Sequence, residues 1–271
     1  MKHVNSDPDR VFDEIATFNR ERWNELALAG VEYSIPALEL DEKSARRMVD
    51  EEGMLGEVRG KRVLCLAAGG GQQTAAFALL GAEVTVLDIS EVQLQRDSST
   101  AKHYGLTVRT EFGDMRDLTR FSDASFDFVW QAHSINFVPD ARRVFAEVSR
   151  VLDVSGLYRL QFTNPFIHGT WEESWTGKGY MLAGPYANGE IISEEAWTFR
   201  DANGGQRKVA RPREFRHTLG TIMNGLIVAG MQILGLWEDS GNDKNAVPGS
   251  WEHFKRYGAP WITVISRRTK N

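Results

Sequence analysis

The 271-residue chain predicts an α/β fold built on a mainly parallel sheet, and three observations carry that expectation. From Lys61 onward, short apolar runs alternate with helix-like stretches, the pattern of strands joined by crossover helices. The run VLCLAAGGGQQ at 63–73 takes a buried strand straight into consecutive glycines. Two apolar runs near the C-terminus, MQILGLWED and WITVISRR, add strands after a long aperiodic segment, so that seven strands are expected in all.

The elements follow in order. The first sixty residues read as a polar helical cap: Ser6 with Asp9 offers a capping pair, Pro8 suits a first turn, and Val11, Phe12 and Ile15 share a face. Gly30 and Pro36 break the pattern, and a second helix is expected at about 41–52 before Gly53 and Gly56. RVLCLAA, EVTVLDI, LTVRTEF, FDFVWQAH and LYRLQFT read as five strands. QTAAFALLG, residues 91–104 and a stretch opened by Pro139 read as the helices between them, the last with Ala141, Val144, Phe145, Val148, Val151 and Leu152 on one face. Residues 165–214 lose periodicity and are rich in Gly, Trp, Tyr and Pro, with a hairpin expected in AWTFRDANGGQRKVA through Asn203-Gly204. A segment of that length predicts an insertion or lid. A helix at about 213–229 then carries Phe215, Leu219, Ile222, Met223, Leu226 and Ile227 as a stripe. The expected divisions are therefore a cap at 1–60, a cofactor-binding core at 61–164, a substrate lid at 165–214 and a return to the core at 215–271.

Composition narrows the function. Acidic residues (37) exceed basic ones (32), for a formal charge of −5, and no Lys/Arg block offers a grip on nucleic acid. No run approaches the length of a membrane span, and MKHVNSDPDR lacks the apolar centre of a secretory signal, so a cytoplasmic protein is expected. Cys65 is the only cysteine, which excludes an intrachain disulfide and a multi-Cys zinc site. Nor does any His/carboxylate spacing suggest a metal. Monomer and homodimer both remain open.

Three strand ends carry the chemical signal. Glycines after a buried strand let the backbone turn sharply and approach a ligand, although a purely steric turn explains them too. Asp88 ends the second strand about 20 residues further on, placed to accept hydrogen bonds from ribose hydroxyls; the alternative, capping the next helix, falls more naturally to Ser90. In GDM at 113–115, Asp114 could accept from an exocyclic amine while the Met115 N–H meets a ring nitrogen, an adenine-like pair. Gly-Asp alone is common in turns. Together the three lie where open α/β sheets bind ligands.

These segments resemble the class I S-adenosylmethionine-dependent methyltransferases, in particular the small-molecule branch called methyltransferase type 11, from about Lys61 to Phe166 and again from about Phe215 onward. VLCLAAGGGQQ is similar to the family's first motif, VTVLDIS to its second and EFGDMRDL to its third; FDFVWQAHSINFVPD and LDVSGLYRL match the fourth and fifth strand regions. The resemblance implies a Rossmann-like seven-stranded mixed sheet with helices on both faces, an N-terminal helical cap and an insertion after the fifth strand. It implies S-adenosyl-L-methionine as cofactor and a small organic acceptor, methylated first of all on oxygen, with carbon or nitrogen as alternatives. By the same resemblance Ala67, Gly69 and Gly71 line the methionine portion and ribose, Asp88 holds the ribose, Ile89 packs on adenine, Asp114 and Met115 read its edge, and Gln131 lies beside the methionine end. Two residues depart from the pattern. Cys65 stands at a usually acidic position that helps to place the cofactor's ammonium, so Cys65→Asp is expected to be tolerated or to tighten binding if the site is the ordinary one, and to lose binding if the loop works differently. Ala67 replaces the first glycine, which is harmless only at negative φ. A dehydrogenase would want a small residue at Thr74, and a non-catalytic cofactor-binding protein of the same fold is the other alternative.

Deprotonating a hydroxyl acceptor needs a base, and His133, just past Gln131, is the leading candidate, ahead of His217 and His168. A histidine held by Asn136 or a carbonyl is the structural alternative. Tyr33 is the expected cofactor cap. Trp23, Trp171, Trp175, Tyr180, Tyr186 and Trp197 are candidates for acceptor walls or for anchors of the insertion, while Glu172 and Glu173 read as a solvated edge.

Overall fold

A computed structural model describes residues 12–182, 184–193, 196–200 and 205–270. Helix α1 (Glu14–Leu28) starts at Asp13, whose carboxylate accepts the Ala16 N–H at 2.8 Å. Ser6, Pro8, Asp9 and Val11, where the sequence places the start of the cap, lie outside the described residues. Helix α2 (Glu42–Val49) carries a reciprocal capping box between Asp41 and Ser44. The core then runs β1 (Arg62–Leu66), α3 (Gln73–Leu79), β2 (Glu83–Asp88), α4 (Glu91–His103), β3 (Arg109–Phe112), β4 (Phe126–Gln131), α5 (Ala141–Val151) and β5 (Leu152–Thr163). The insertion holds β6 (Gly189–Glu190), β7 (Trp197–Arg200) and β8 (Gln206–Val209), and β9 (Phe215–Arg216) follows it. The chain closes with α6 (Leu219–Val228), β10 (Met231–Glu238), α7 (Trp251–Tyr257) and β11 (Trp261–Arg268).

The sheet is Rossmann-like and seven-stranded, in the order β10-β11-β5-β4-β1-β2-β3. Strands β1 to β5 run parallel, whereas β11 is antiparallel to both β5 and β10. Because β1 lies between β2 and β4, the connections leave it in opposite directions, and its carboxyl end is where an open α/β sheet forms its ligand crevice. Alternation along β1 divides its side chains between two buried layers. Leu64 and Leu66 pack with Val144, Phe145, Ile222 and Leu226 of α5 and α6; Val63 and Cys65 pack with Ala45, Phe77 and Leu94 of α2, α3 and α4. At Gly225 an added Cβ would lie 2.9 Å from the Phe145 ring, so glycine lets α6 approach α5.

Several elements differ from the sequence expectation: β5 already begins at Leu152, α2 ends at Val49, and others differ for local reasons. Asp140, not Pro139, caps α5 by accepting the Arg142 N–H. Thr218 caps α6, so the helix begins at Leu219, and Phe215 pairs instead with Glu190 in a two-stranded ribbon. Helix α7 has only seven residues, too few to show a period, and is capped by Ser250. Strands β7 and β8 form the expected antiparallel pair; Asn203-Gly204 of its turn lie outside the described residues. Trp175 and Tyr180 of the insertion pack on His253 and Tyr257 of α7, with the Tyr180 hydroxyl 2.7 Å from His253 Nδ1. These aromatic residues therefore anchor the insertion to the core. Among the described residues no helix is long and apolar enough to cross a membrane.

The turn after α2 is tied to the sheet by a buried ion pair: Glu52 accepts two hydrogen bonds from Arg159, at 3.0 and 2.7 Å, and the guanidinium lies 4.8 Å from the Trp130 ring centroid. Both side chains are 5% exposed. Removing one partner strands the other charge, so Glu52→Gln is expected to cost about 3 kcal/mol. In a chain of this size that lowers Tm by roughly 6–12 °C; a thermal scan showing no loss would contradict the assigned pairing.

Candidate cofactor and acceptor site

The glycine loop at the end of β1 is held by carboxylates. The Gly69 N–H donates to Asp88 Oδ2 at 2.9 Å, and those of Gly70 and Gly71 donate to Asp97 Oδ2 and Oδ1, each at 3.0 Å. Three successive amides are thus spent on two acids. Glycine is required here: Gly70 and Gly71 have φ of +124° and +84°, and a Cβ on Gly71 would lie 2.3 Å from Thr100 Oγ1. Ala67 also sits at positive φ, +46°, so replacement of the expected glycine leaves strain on the order of 1 kcal/mol in the loop. The cap closes over the same turn, because Gln72 Nε2 donates to the carbonyls of Tyr33 and Ile35 at 3.0 and 2.7 Å.

Asp88 sits at the end of β2, where its Oδ1 accepts the Ser90 N–H at 2.8 Å; Ser90 in turn caps α4 by accepting the Gln93 N–H. Burial raises the Asp88 carboxyl to about 6. Burial raises Asp97 further, to about 7, and the charge of Asp88 adds to the effect. Cys65 is fully buried in the layer on the α3 side, and burial together with nearby Asp97 pushes its thiol upward. Cys65→Asp would bury a second carboxylate beside Asp97, a cost that weighs against the expectation that it is tolerated or tightens binding.

At the end of β3, Arg116 grips Asp114 through Nε and Nη2, at 2.9 and 2.5 Å from Oδ2, and reaches across to Asp13 at 2.7 and 2.9 Å. That contact holds Asp13 down at about 2. The cap of α1 is thereby fixed to the strand end that carries Asp114. Met115 and Gln131 meet across the crevice, with Nε2 donating to Sδ at 3.3 Å. The Gln131 side chain is fully buried and also contacts Ser134 Oγ at 2.9 Å and the Tyr158 hydroxyl at 2.5 Å, so it braces Met115 from below. Ile89 is partly exposed just before α4, and Tyr33 is 67% exposed on the cap.

The other side of the crevice is aromatic. His133 Nε2 contacts Thr163 Oγ1, and its ring lies 4.4 Å from Trp261 and 5.9 Å from Phe137. Trp23 of α1 and Trp197 of β7 pack edge-on to Phe137 at 5.0 and 6.1 Å. Burial lowers His133 to about 4, opposed by the charge of Glu214. His168 Nε2 lies 2.9 Å from Glu214 Oε1, and Arg211 donates to the other oxygen at 2.6 Å. His217 Nε2 is held by the Val138 carbonyl at 3.0 Å, a structural role. Asn136 does not restrain His133: it donates to the Phe215 carbonyl and accepts the Thr163 N–H. No group of three or more His, Cys, Asp or Glu that could hold a metal occurs among the described residues.

The sequence reading missed Asp97, Arg116, Thr163 and Glu214. Only Asp97 left a trace: it lies on the same face of α4 as Gln93, Leu94, Thr100 and Ala101, where a charge facing the core needs a reason. Glu214 and Thr163 reach the site only through folding.

The chain matches a methyltransferase-domain family model over residues 64–160. It is 37% identical over 186 residues to the uncharacterized methyltransferase YbaJ of Bacillus subtilis, covering 68% of this chain and 71% of that one. A glycine/sarcosine/dimethylglycine N-methyltransferase of Actinopolyspora halophila is 32% identical over 49% of this chain, which spans only 24% of that protein. Among solved structures, an S-adenosylmethionine-dependent methyltransferase of Mesorhizobium loti superposes with a TM-score of 0.59 at 20% identity, covering 84% of this chain and all of that one.

Two outcomes follow. Gly71→Ala is expected to weaken binding of S-adenosylhomocysteine at least about tenfold by calorimetry, because its Cβ collides with Thr100; unchanged affinity would contradict the loop geometry. Asp97 ionises less readily in the fold than in the unfolded chain, so its contribution to stability is complete below about pH 4 and is lost as pH rises through about 7. The Tm of Asp97→Asn relative to the parent should therefore improve from about pH 5 to about pH 8; a pH-independent difference would rule out a buried titrating carboxyl there.

Proposed function

Because the chain belongs to the class I S-adenosylmethionine-dependent methyltransferases, we propose that it methylates a small organic acceptor on oxygen and that His133 takes the acceptor's proton. The observation that carries the cofactor's place is the carboxylate-filled loop. A pyrophosphate needs free loop amides, whereas here all three glycine N–H groups already face acids. That arrangement suits a cofactor bearing positive charge and disfavours a dinucleotide. When bound, S-adenosylmethionine supplies an electrophilic methyl group on a sulfonium.

The chain's residues do the rest. Asp88 keeps lone pairs for ribose hydroxyls beside the two amides it already holds. Asp114, fixed by Arg116, and the N–H of Met115 take the adenine edge, with Ile89 beneath it. The backbone of Ala67, Gly69 and Gly71 lines the methionine portion, and Gln131 supports that end through Met115. Tyr33 covers the loop from the cap. Trp23, Phe137, Trp197 and Trp261 exclude water and orient a flat acceptor against His133. With Nε2–H donating to Thr163, Nδ1 of the neutral imidazole receives the proton, and Glu214 stabilises the cation that forms.

Nitrogen is the second reading, favoured by the similarity to the Actinopolyspora N-methyltransferase. The two separate by experiment. Screening phenols, hydroxy acids and amines with methyl-labelled S-adenosylmethionine should give a methyl ether. His133→Gln should then lower turnover by roughly a hundredfold with cofactor affinity held within about twofold. An N-methyl product formed at an undiminished rate by His133→Gln would contradict both parts of the proposal.

A further inference from the structure

We infer that Asp97 is the positioning residue of the cofactor loop and the buried counter-charge for the cofactor's sulfonium, a charge that Cys65 cannot supply. The inference rests on the family assignment above and deepens it. S-adenosylmethionine carries a sulfonium besides the ammonium and carboxylate of its amino-acid end, so it enters with a net positive charge that the site must offset. The thiol of Cys65 supplies no counter-charge, since it is fully buried and burial keeps it protonated.

Asp97 is 1% exposed, and its oxygens accept the Gly70 and Gly71 N–H groups at 3.0 Å each. The groups facing it are Cys65 of β1, Thr74 of α3, Asp88 of β2 and the two loop amides; none of them is a cation. The neighbouring Arg96 turns away, and its guanidinium donates to the carbonyls of Ser34 and Ala27. A buried carboxylate without a cation is expensive, and its cost falls when a cation arrives. The fold thus holds a buried carboxyl, ready to ionise, directly behind the turn that is expected to carry the methionine end. The same two hydrogen bonds give Asp97 its second task, holding Gly70 and Gly71 at positive φ so that the loop is formed before the ligand enters.

The test compares two ligands that differ in the sulfonium; because the sulfonium also makes the ligand's own ammonium more acidic, each affinity is corrected for that group's separately measured titration. Calorimetry of S-adenosylmethionine and S-adenosylhomocysteine is run on the parent and on Asp97→Asn from about pH 6 to about pH 8. In the parent, the preference for the charged ligand should rise with pH as Asp97 ionises near 7. In Asp97→Asn that preference should drop about tenfold at the upper pH and lose its slope. The ratio is internal to each protein, so a loss of stability does not imitate the result, and the parent's pH series stands even where the variant fails to fold. A ratio that is flat with pH in the parent, or unaltered by Asp97→Asn, overturns the inference. Binding of neither ligand to the parent would instead overturn the cofactor assignment beneath it.

Discussion

The site depends on three consecutive glycine amides that donate to two buried carboxylates. This contact joins β1, β2 and α4 at the point where the sheet's connections diverge. It also explains the residues around it. Gly69, Gly70 and Gly71 are needed for close approach and positive φ, Thr100 fills the space a side chain would need, and Ala67 bears the remaining strain. A loop rich in N–H groups is ordinarily an anion site. Here the anions belong to the protein, which is what supports the proposed fit to a positively charged cofactor.

The cap and the insertion are built onto that frame from opposite sides. Asn19 of α1 donates to the carbonyls of Phe137 and Arg213 and accepts the Arg213 N–H, so one buried amide stitches cap, β4 loop and insertion together. At its first turn the same helix meets Arg116 through Asp13. Both ends of the crevice, the one carrying Asp114 and the one carrying His133, are therefore fixed by a single helix. Water exclusion and alignment, which supply much of the rate in a displacement at carbon, follow from that packing.

Much of this was legible in the sequence because it is local. Strand and helix alternation, the glycine run, Asp88 at its strand end, Ser90 as a helix cap and the seven-strand count all follow from periods and residue types within a few positions. What could not be read depends on distant pairs. Glu214 reaches His168 over 46 positions, and Thr163 reaches His133 over 30. Helix α7 is too short for a period, and the aromatic residues of 165–214 do not reveal from sequence which are walls and which are anchors; the structure makes Trp175 and Tyr180 anchors and sets Trp197 against Phe137. Cys65 illustrates the same limit. From sequence it is an absent acid facing the ligand, whereas in the fold it is a core residue whose neighbour on α4 is the buried Asp97.

The central claim, that buried acids hold the loop amides, is tested most directly by the backbone amide resonances of the three glycines in the unligated protein followed against pH. The Gly70 and Gly71 amides should shift together with a midpoint near 7 as Asp97 ionises, and the Gly69 amide with a midpoint near 6 as Asp88 does. Amide shifts that stay flat across that range, with fast exchange against solvent, would show that the N–H groups are free and that the loop is an anion site after all.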